Sequence, residues 1–185
     1  MQKQWKKALL ACLAVGLTIA APLFTWAADR EIVILHTNDM HCGVNDNLGL
    51  ATVAQMKQNA LQKTPYVALV DAGDAVQGAP IGKLSKGEAV INMLNAAGYD
   101  FAIPGNHEFD YGMERFWQLN KKLKSGYYSA NFEDLRTKKL ALPAYKMMQF
   151  GDTKVAFVGA TTPRYLDILH TGLFPGWQGQ LSLWL

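Results

Sequence analysis

Three short polar clusters contain the side-chain types that bind divalent metal ions in proteins. Asp39 and His41 are two residues apart, so in an extended segment they would point the same way and offer a carboxylate and an imidazole to one cation. Asp74 could bridge two cations held about 3.5–4 Å apart, the separation used in two-metal hydrolysis. Asn106 offers a neutral amide oxygen, which would leave positive charge on the pair. These residue types therefore predict a two-metal centre that attracts phosphate.

Each cluster also has an ordinary structural interpretation. Asp39 would suit a loop cap, Asp74 an Asx-turn, and Asn106 with His107 a turn after Gly105. The chemical interpretation is favoured because all three clusters follow apolar runs, in order and with connections long enough for a helix. Ligands of open α/β sheets bind at the carboxyl ends of the strands, so we expect the clusters to meet at one sheet edge.

The elements that must position these clusters alternate between strand and helix. Apolar runs rich in β-branched and aromatic residues predict buried strands at 31–36, 66–71, 100–103 and 127–132. Apolar residues at helical spacing predict helices over 50–61, 90–97 and 113–124. Gly151 and Asp152 form a turn pair that predicts a hairpin of 144–150 with 153–160. The whole pattern predicts an α/β fold with its strands in one central sheet.

The first residues have the layout of a secretory signal peptide. Three lysines precede an uncharged stretch from Ala8 to Ala28, and the residues before Ala28 predict cleavage after Ala27. We therefore expect an exported protein, whether periplasmic, on the cell surface or secreted, that has lost residues 1–27 and has no stable membrane span. An uncleaved membrane anchor is the alternative, because 21 uncharged residues could just cross a bilayer.

Loss of the leader would remove the net charge of the chain. The full sequence has 18 basic and 15 acidic residues, and the leader holds three of the basic ones and no acidic one. A neutral domain without a cluster of Lys and Arg gives no reason to expect a nucleic-acid partner. Cys42 is the only cysteine after the leader, so we expect no internal disulfide and favour a small loop residue over a reactive thiol.

The three polar clusters resemble the opening motifs of a known family. Asp39-Met-His41, Gly73-Asp74 and Gly105-Asn-His-Glu108 resemble those of the calcineurin-like metallophosphoesterases. The longer segments 36–41, 71–78 and 105–112 are similar to the secreted branch of 5′-nucleotidases and UDP-sugar hydrolases. The resemblance covers residues 31–163. It implies an α/β metallophosphoesterase fold, with a central mixed sheet flanked by helices, and hydrolysis of nucleotides or related phosphate esters in nucleotide catabolism.

The resemblance also implies which residues bind the metals. Asp39 and His41 would bind the first divalent ion, Asp74 would bridge the two ions, and Asn106 would bind the second. Oxygen and nitrogen ligands leave manganese, zinc, iron and cobalt as candidates. The substrate would be a small molecule, and neither its identity nor the oligomeric state follows from these motifs.

His107 and Asp110 have a different implied role. By the resemblance, His107 would not bind metal but would contact the phosphoryl group, with Asp110 as its hydrogen-bond partner. Metal-bound hydroxide would attack phosphorus in line, while the cations neutralise the charge that develops on the phosphoryl oxygens. A structural loop clamp is the alternative interpretation of this histidine–aspartate pair.

Parts of the family pattern are missing. The family completes its metal pair with histidines from downstream turns, whereas the only later histidine here, His170, matches neither turn type. After Asp167 there is no charged residue, and the last 14 residues match neither helix nor strand spacing. We therefore expect a truncated or frame-shifted product with a partial catalytic domain at 28–167 and an aberrant tail at 168–185. Cys42 is a further departure, because the family commonly has glycine there.

These departures leave two function classes open. The first is an exported metal-dependent phosphoesterase. The second is an inactive truncated fragment or weak metal-binding module that lacks the downstream ligands and the domain that reads the nucleotide. A Rossmann-type nucleotide binder is disfavoured, because no Gly-x-Gly-x-x-Gly turn follows the first strand.

Overall fold

The computed structural model describes residues 31–45, 48–134 and 136–161, together with the backbone of 177–179. The expected signal peptide, His170 and most of the expected tail lie outside these ranges. Among the described residues, none belongs to a helix that is both long and apolar enough to cross a membrane.

A parallel sheet carries the polar clusters at one edge. Its strands β1 (Val33–Thr37), β2 (Val67–Asp71) and β3 (Phe101–Ala102) lie in the order β1-β2-β3, which confirms the first three predicted strands. Ala68 and Leu69 of the central strand β2 are fully buried. A strand covered on both faces needs apolar side chains in both orientations, which explains its continuous apolar run.

The described ranges contain four α-helices: α1 (Gly49–Leu61), α2 (Pro80–Ser85), α3 (Glu88–Ala97) and α4 (Met113–Lys122). The three predicted helices are confirmed, with α4 ending two residues early. α3 ends where expected, at Gly98, whose φ of 78° suits a residue without a side chain. The short helix α2 was not predicted, since its six residues are too few to show a helical period.

An aromatic cluster forms the part of the core next to the polar clusters. The ring of Phe109 lies 4.7 Å from that of Phe116 and 5.2 Å from that of Phe132, and all three side chains are at most 1% exposed. Each buried aromatic ring contributes about 1.5–3 kcal/mol relative to an exposed one. Phe109 belongs to a 3₁₀ helix, His107–Phe109, so this packing fixes the segment that carries the third cluster.

The remaining described strands form two further sheets and do not join the parallel one, so the prediction of a single central mixed sheet is wrong in this respect. The hairpin of β6 (Tyr145–Phe150) and β7 (Thr153–Val158) is confirmed, while β4 (Phe132–Asp134) pairs with β5 (Lys139–Leu140) and β8 (Trp177–Gly179). The strand β8 lies in the expected tail, where no element was predicted.

The predicted strand at 127–132 is largely wrong. Tyr127 makes only an isolated parallel bridge to Ala102, and β4 begins at Phe132. Before β4, the side chain of Asn131 accepts a hydrogen bond from Thr161 N at 2.8 Å and donates one to Thr161 O at 2.7 Å. The backbone N–H groups of 128–130 donate to carbonyls of three separate segments, so no regular ladder with a single strand forms. Hydrophobicity alone does not reveal these partners.

Candidate metal centre

Backbone hydrogen bonds join the loops that follow β1 and β2. Asp39 N donates to Gly73 O at 3.0 Å, and His41 N donates to Asp74 O at 2.8 Å. The next bond, Cys42 N to Ala75 O at 2.9 Å, continues the pairing. The first two polar clusters are therefore held side by side, as their positions after parallel strands predicted.

Four residues of these loops adopt left-handed backbone conformations. The φ angles are 51° at Asp39, 45° at His41, 61° at Cys42 and 57° at Asp74. Such conformations cost about 1 kcal/mol or more for a residue with a side chain, and they cluster at functional sites. The expectation of an extended Asp39–His41 segment is therefore wrong. The turn nevertheless leaves Asp39 Oδ1 4.0 Å from His41 Nε2.

Two glycines let the third loop approach the second. A Cβ at Gly73 would lie 2.8 Å from Cα of Gly105, and a Cβ at Gly105 would lie 2.7 Å from Cγ of Asp74. Real Cβ atoms do not approach carbon so closely, so both positions require glycine.

Three candidate ligands converge where the loops meet. Ligand atoms of His41, Asp74 and His107 all lie within 4.8 Å of one another, and all three side chains are half-buried. One carboxylate oxygen and two imidazole nitrogens are donors that suit a divalent transition metal, so the residues fit such an ion. Asp39 adjoins this set through His41, and Asn106 directly precedes His107 at the start of the 3₁₀ helix.

His107 joins the third cluster to the second and carries the expected partner. Its backbone N–H donates to Asp74 Oδ1 at 2.8 Å, and its Nδ1 lies 2.7 Å from Asp110 Oδ2. Burial lowers the pKa of His107, but the hydrogen bond and charge of Asp110 outweigh it and raise that pKa above the ordinary value. The rings of His107 and His41 meet edge to face, with centroids 4.9 Å apart.

Glu108 is a site residue that sequence reasoning left without a role. Its side chain is only 1% exposed, and its two carboxylate oxygens accept hydrogen bonds from backbone N–H groups of Asp74, Ala75 and Gly105 at 2.6–2.8 Å. Burial raises the pKa of Glu108, and the N–H donors oppose that rise. Its place directly after a candidate histidine was the available signal.

A second buried acid lies beneath the loops. Asp71 is 1% exposed and accepts hydrogen bonds from Thr37 Oγ1 at 2.7 Å and from Gly73 N at 3.2 Å. Thr37 Oγ1 is also 2.8 Å from the hydroxyl of Tyr99. Burial, together with the nearby charge of Glu108, raises the pKa of Asp71 to about 8.

Cys42 is buried, whereas His36 is exposed. Cys42 is 2% exposed, and burial raises the pKa of its thiol, which agrees with the favoured interpretation as a packed loop residue. A Cβ at Gly82 in α2 would collide with Sγ of Cys42, so the thiol fills the space beside that glycine. His36 in β1 has an exposed side chain, which lines an open cavity of about 470 Å³ that also borders Asp39.

Comparison with known proteins gives one family match. Residues 32–171 match the calcineurin-like phosphoesterase family. The 5′-nucleotidase of Bos taurus is 34% identical over 165 residues, which is 79% of this chain and 29% of the relative. The 5′-nucleotidase of Vibrio vulnificus is 30% identical over 165 residues, or 84% of this chain and 30% of that protein. The chain therefore spans less than a third of the length of these curated relatives.

The fold is also similar to solved structures. The calcineurin-like phosphoesterase YfkN from Bacillus subtilis matches with a TM-score of 0.68 and 25% identity, covering 80% of this chain and 54% of that one. A 5′-nucleotidase precursor from Thermus thermophilus gives a TM-score of 0.70 at 23% identity, covering 80% of this chain and 32% of its own.

Proposed function

Because this chain belongs to the calcineurin-like phosphoesterase family, we propose that its function is the metal-dependent hydrolysis of a phosphate ester. The observation that carries the proposal is the convergence of His41, Asp74 and His107 at the carboxyl edge of the parallel sheet. Similarity to 5′-nucleotidases supports a nucleotide or a related small phosphate ester as the substrate.

We assign the metal-binding role to Asp39, His41, Asp74 and Asn106. Asp39 and His41 would hold the first divalent ion, Asp74 would bridge, and Asn106 would hold the second, with manganese, zinc, iron or cobalt as candidates. Bound ions would supply positive charge for the phosphoryl oxygens and would lower the pKa of a water molecule. The backbone bond between His41 N and Asp74 O keeps these two ligands in register before any ion binds.

His107 would act on the substrate directly, and Asp110 would act by orienting His107. The carboxylate of Asp110 can only accept, so the proton of the imidazole lies on Nδ1 and Nε2 faces away from Asp110. A protonated His107 could then bind the phosphoryl group or give a proton to the leaving oxygen. Asp110 fixes the ring angle and stabilises the charged form of the imidazole.

A second candidate function is the binding of a single metal ion without turnover. It is supported by the compact donor set of His41, Asp74 and His107, which would suit one ion. In that case His107 would be a ligand, and it could not act on a phosphoryl group. The two candidates differ in what the change His107→Ala should do.

Hydrolysis of p-nitrophenyl phosphate and of AMP, with added Mn²⁺, tests the proposal. Asp74→Asn should weaken Mn²⁺ binding by more than about 100-fold, since even partners that only orient a ligand cost 10–100-fold. His107→Ala should abolish turnover and leave Mn²⁺ affinity within about threefold, which corresponds to less than about 0.7 kcal/mol. If His107→Ala removes Mn²⁺ binding and the parent chain does not turn over either ester, the single-ion function is correct instead.

We also propose that the chain is exported through residues 1–27. The basic start and the cleavage-like sequence before Ala28 support this proposal. N-terminal sequencing of the protein from the producing cell should give Ala28 as the first residue, whereas Met1 would contradict it.

A further inference from the structure

The carboxylate of Glu108 is buried at the point where all three site loops meet. Its Oε2 accepts from Gly105 N at 2.6 Å and from Asp74 N at 2.8 Å, while Oε1 accepts from Ala75 N at 2.8 Å and from Val76 N at 3.4 Å. One side chain therefore binds four backbone N–H groups from two loops. Within the described ranges, no cationic side chain shares these oxygens.

A buried carboxylate in this position has a high desolvation cost. Transfer of a carboxylate from water into a protein interior costs several kcal/mol, and here only main-chain dipoles compensate for it. An apolar residue of similar volume would avoid this cost, but it would leave four buried N–H groups without acceptors. The carboxylate thus supplies the acceptors that the four N–H groups of the loops need.

The loop residue that Glu108 binds most directly is the candidate bridging ligand. Asp74 is left-handed, and three of its polar groups are engaged: its N–H by Glu108, its carbonyl by His41 N, and its Oδ1 by His107 N. Glu108 also follows His107 in the same 3₁₀ helix. A shift of its carboxylate would consequently move Asp74 and His107 relative to each other.

We propose that Glu108 is a positioning residue that sets the geometry of the metal ligands without touching metal or substrate. It holds the strained turn at Asp74 in the conformation that places the Asp74 carboxylate beside His41 and His107, and it holds Gly105 against that turn. The inference rests on the proposed function, because it assumes that Asp74 binds metal. The inference adds that the metal ligands need the buried carboxylate of Glu108 to keep their geometry.

Glu108→Gln tests the requirement at nearly constant volume. A glutamine has one acceptor oxygen, so its amide N–H₂ would face at least two of the four N–H donors. Loss of such an orienting partner typically costs 10–100-fold in metal affinity. We therefore expect the Kd of Mn²⁺, measured by calorimetry on folded protein, to rise by about 10–100-fold. Amide hydrogen exchange at Asp74, Ala75 and Gly105 should become faster in the metal-free chain.

Asp100→Asn is a control for loss of a hydrogen-bonding carboxylate away from the site, although the side chain of Asp100 is 33% exposed. Asp100 precedes β3, at the end of the sheet away from the loops, and its Oδ2 accepts from Leu69 N at 2.8 Å and from Lys57 Nζ at 2.7 Å. This change should lower the melting temperature and leave Mn²⁺ affinity unchanged. Glu108→Asp, which keeps the charge on a shorter side chain, should give an intermediate Kd and serves if the glutamine variant does not fold.

The outcomes separate this inference from the proposed function. If the parent chain binds Mn²⁺ and Glu108→Gln lowers only stability, as Asp100→Asn does, Glu108 is structural and the inference is wrong while the proposed function stands. If the parent chain binds no Mn²⁺, the proposed function fails and the inference fails with it. Faster exchange at Asp74 together with weaker Mn²⁺ binding, both restricted to the Glu108 variants, supports it.

Discussion

Replacement of Gly105 by alanine should disable the metal centre while leaving most of the fold intact. The backbone of Gly105 is not left-handed, so alanine adds no conformational strain there and the effect is purely one of space. The new Cβ would lie 2.7 Å from Cγ of Asp74, whereas ordinary contact begins near 3.4 Å. Because Oδ1 and the backbone N of Asp74 also lie against this Cβ, the Asp74 residue must move by at least about 0.7 Å. A misplacement of about 1 Å at a reacting centre can cost about 100-fold.

Gly159→Ala is a matched control outside the site. A Cβ at Gly159 would also lie 2.7 Å from a carbon atom, Cγ2 of Ile103, and its backbone is not left-handed either. Both variants should lose about 1–3 kcal/mol of unfolding free energy in urea, as overpacked sites do. Only Gly105→Ala should weaken Mn²⁺ binding in calorimetry, by about 10–100-fold. Equal Mn²⁺ affinities for the two variants would refute the assignment of Asp74 as a ligand held by close packing.

Three further changes test separate parts of the structure. Asp110→Asn should lower kcat about 100-fold, more for AMP than for p-nitrophenyl phosphate, whose leaving group needs no proton; equal losses would exclude His107 as the acid. Because burial raises the pKa of Asp71 to about 8, the folded carboxyl keeps a proton that the unfolded one releases, so stability should fall as the pH rises from about 4 to 8. Asp71→Asn should remove that slope in urea denaturation with EDTA, and an unchanged slope would contradict the raised pKa. Lys57→Met breaks the bonds to Asp100 and the carbonyl of Gly98 and should lower the free energy of unfolding by about 2–4 kcal/mol in the same assay. Because Lys57 lies away from the site, the Mn²⁺ affinity should not change, and a weaker affinity would contradict this.

The sequence was sufficient for the elements whose signals are local. The apolar runs of β1 and β2 and the helical spacing in α3, with Gly98 at its end, correctly predicted those elements. Position after a parallel strand was also enough to bring His41 and Asp74 together, because the carboxyl ends of neighbouring parallel strands share one edge.

Features that depend on tertiary hydrogen bonds were missed. The side chain of Asn131 pairs with the backbone of Thr161, thirty residues away, and the N–H groups of 128–130 donate to three separate segments. No local pattern indicates these partners. The left-handed turn at Asp39 was missed for the same reason, since the bond from its N–H to Gly73 O belongs to another loop. Glu108 was left without a role, because only the fold shows that its partners are backbone N–H groups of another loop.

The side chain of Cys42 occupies the space that a side chain at position 82 would need. With φ at 61°, position 42 would accommodate glycine more readily than cysteine, but the loss of the thiol would leave a void against α2. A Cβ at Gly82 would also lie 2.7 Å from the backbone carbonyl oxygen of Val76, so position 82 requires glycine even where position 42 has no side chain. Glycine at position 82 is therefore the condition for a side chain at position 42, although forty positions of sequence separate the two and neither has a proposed role in the chemistry.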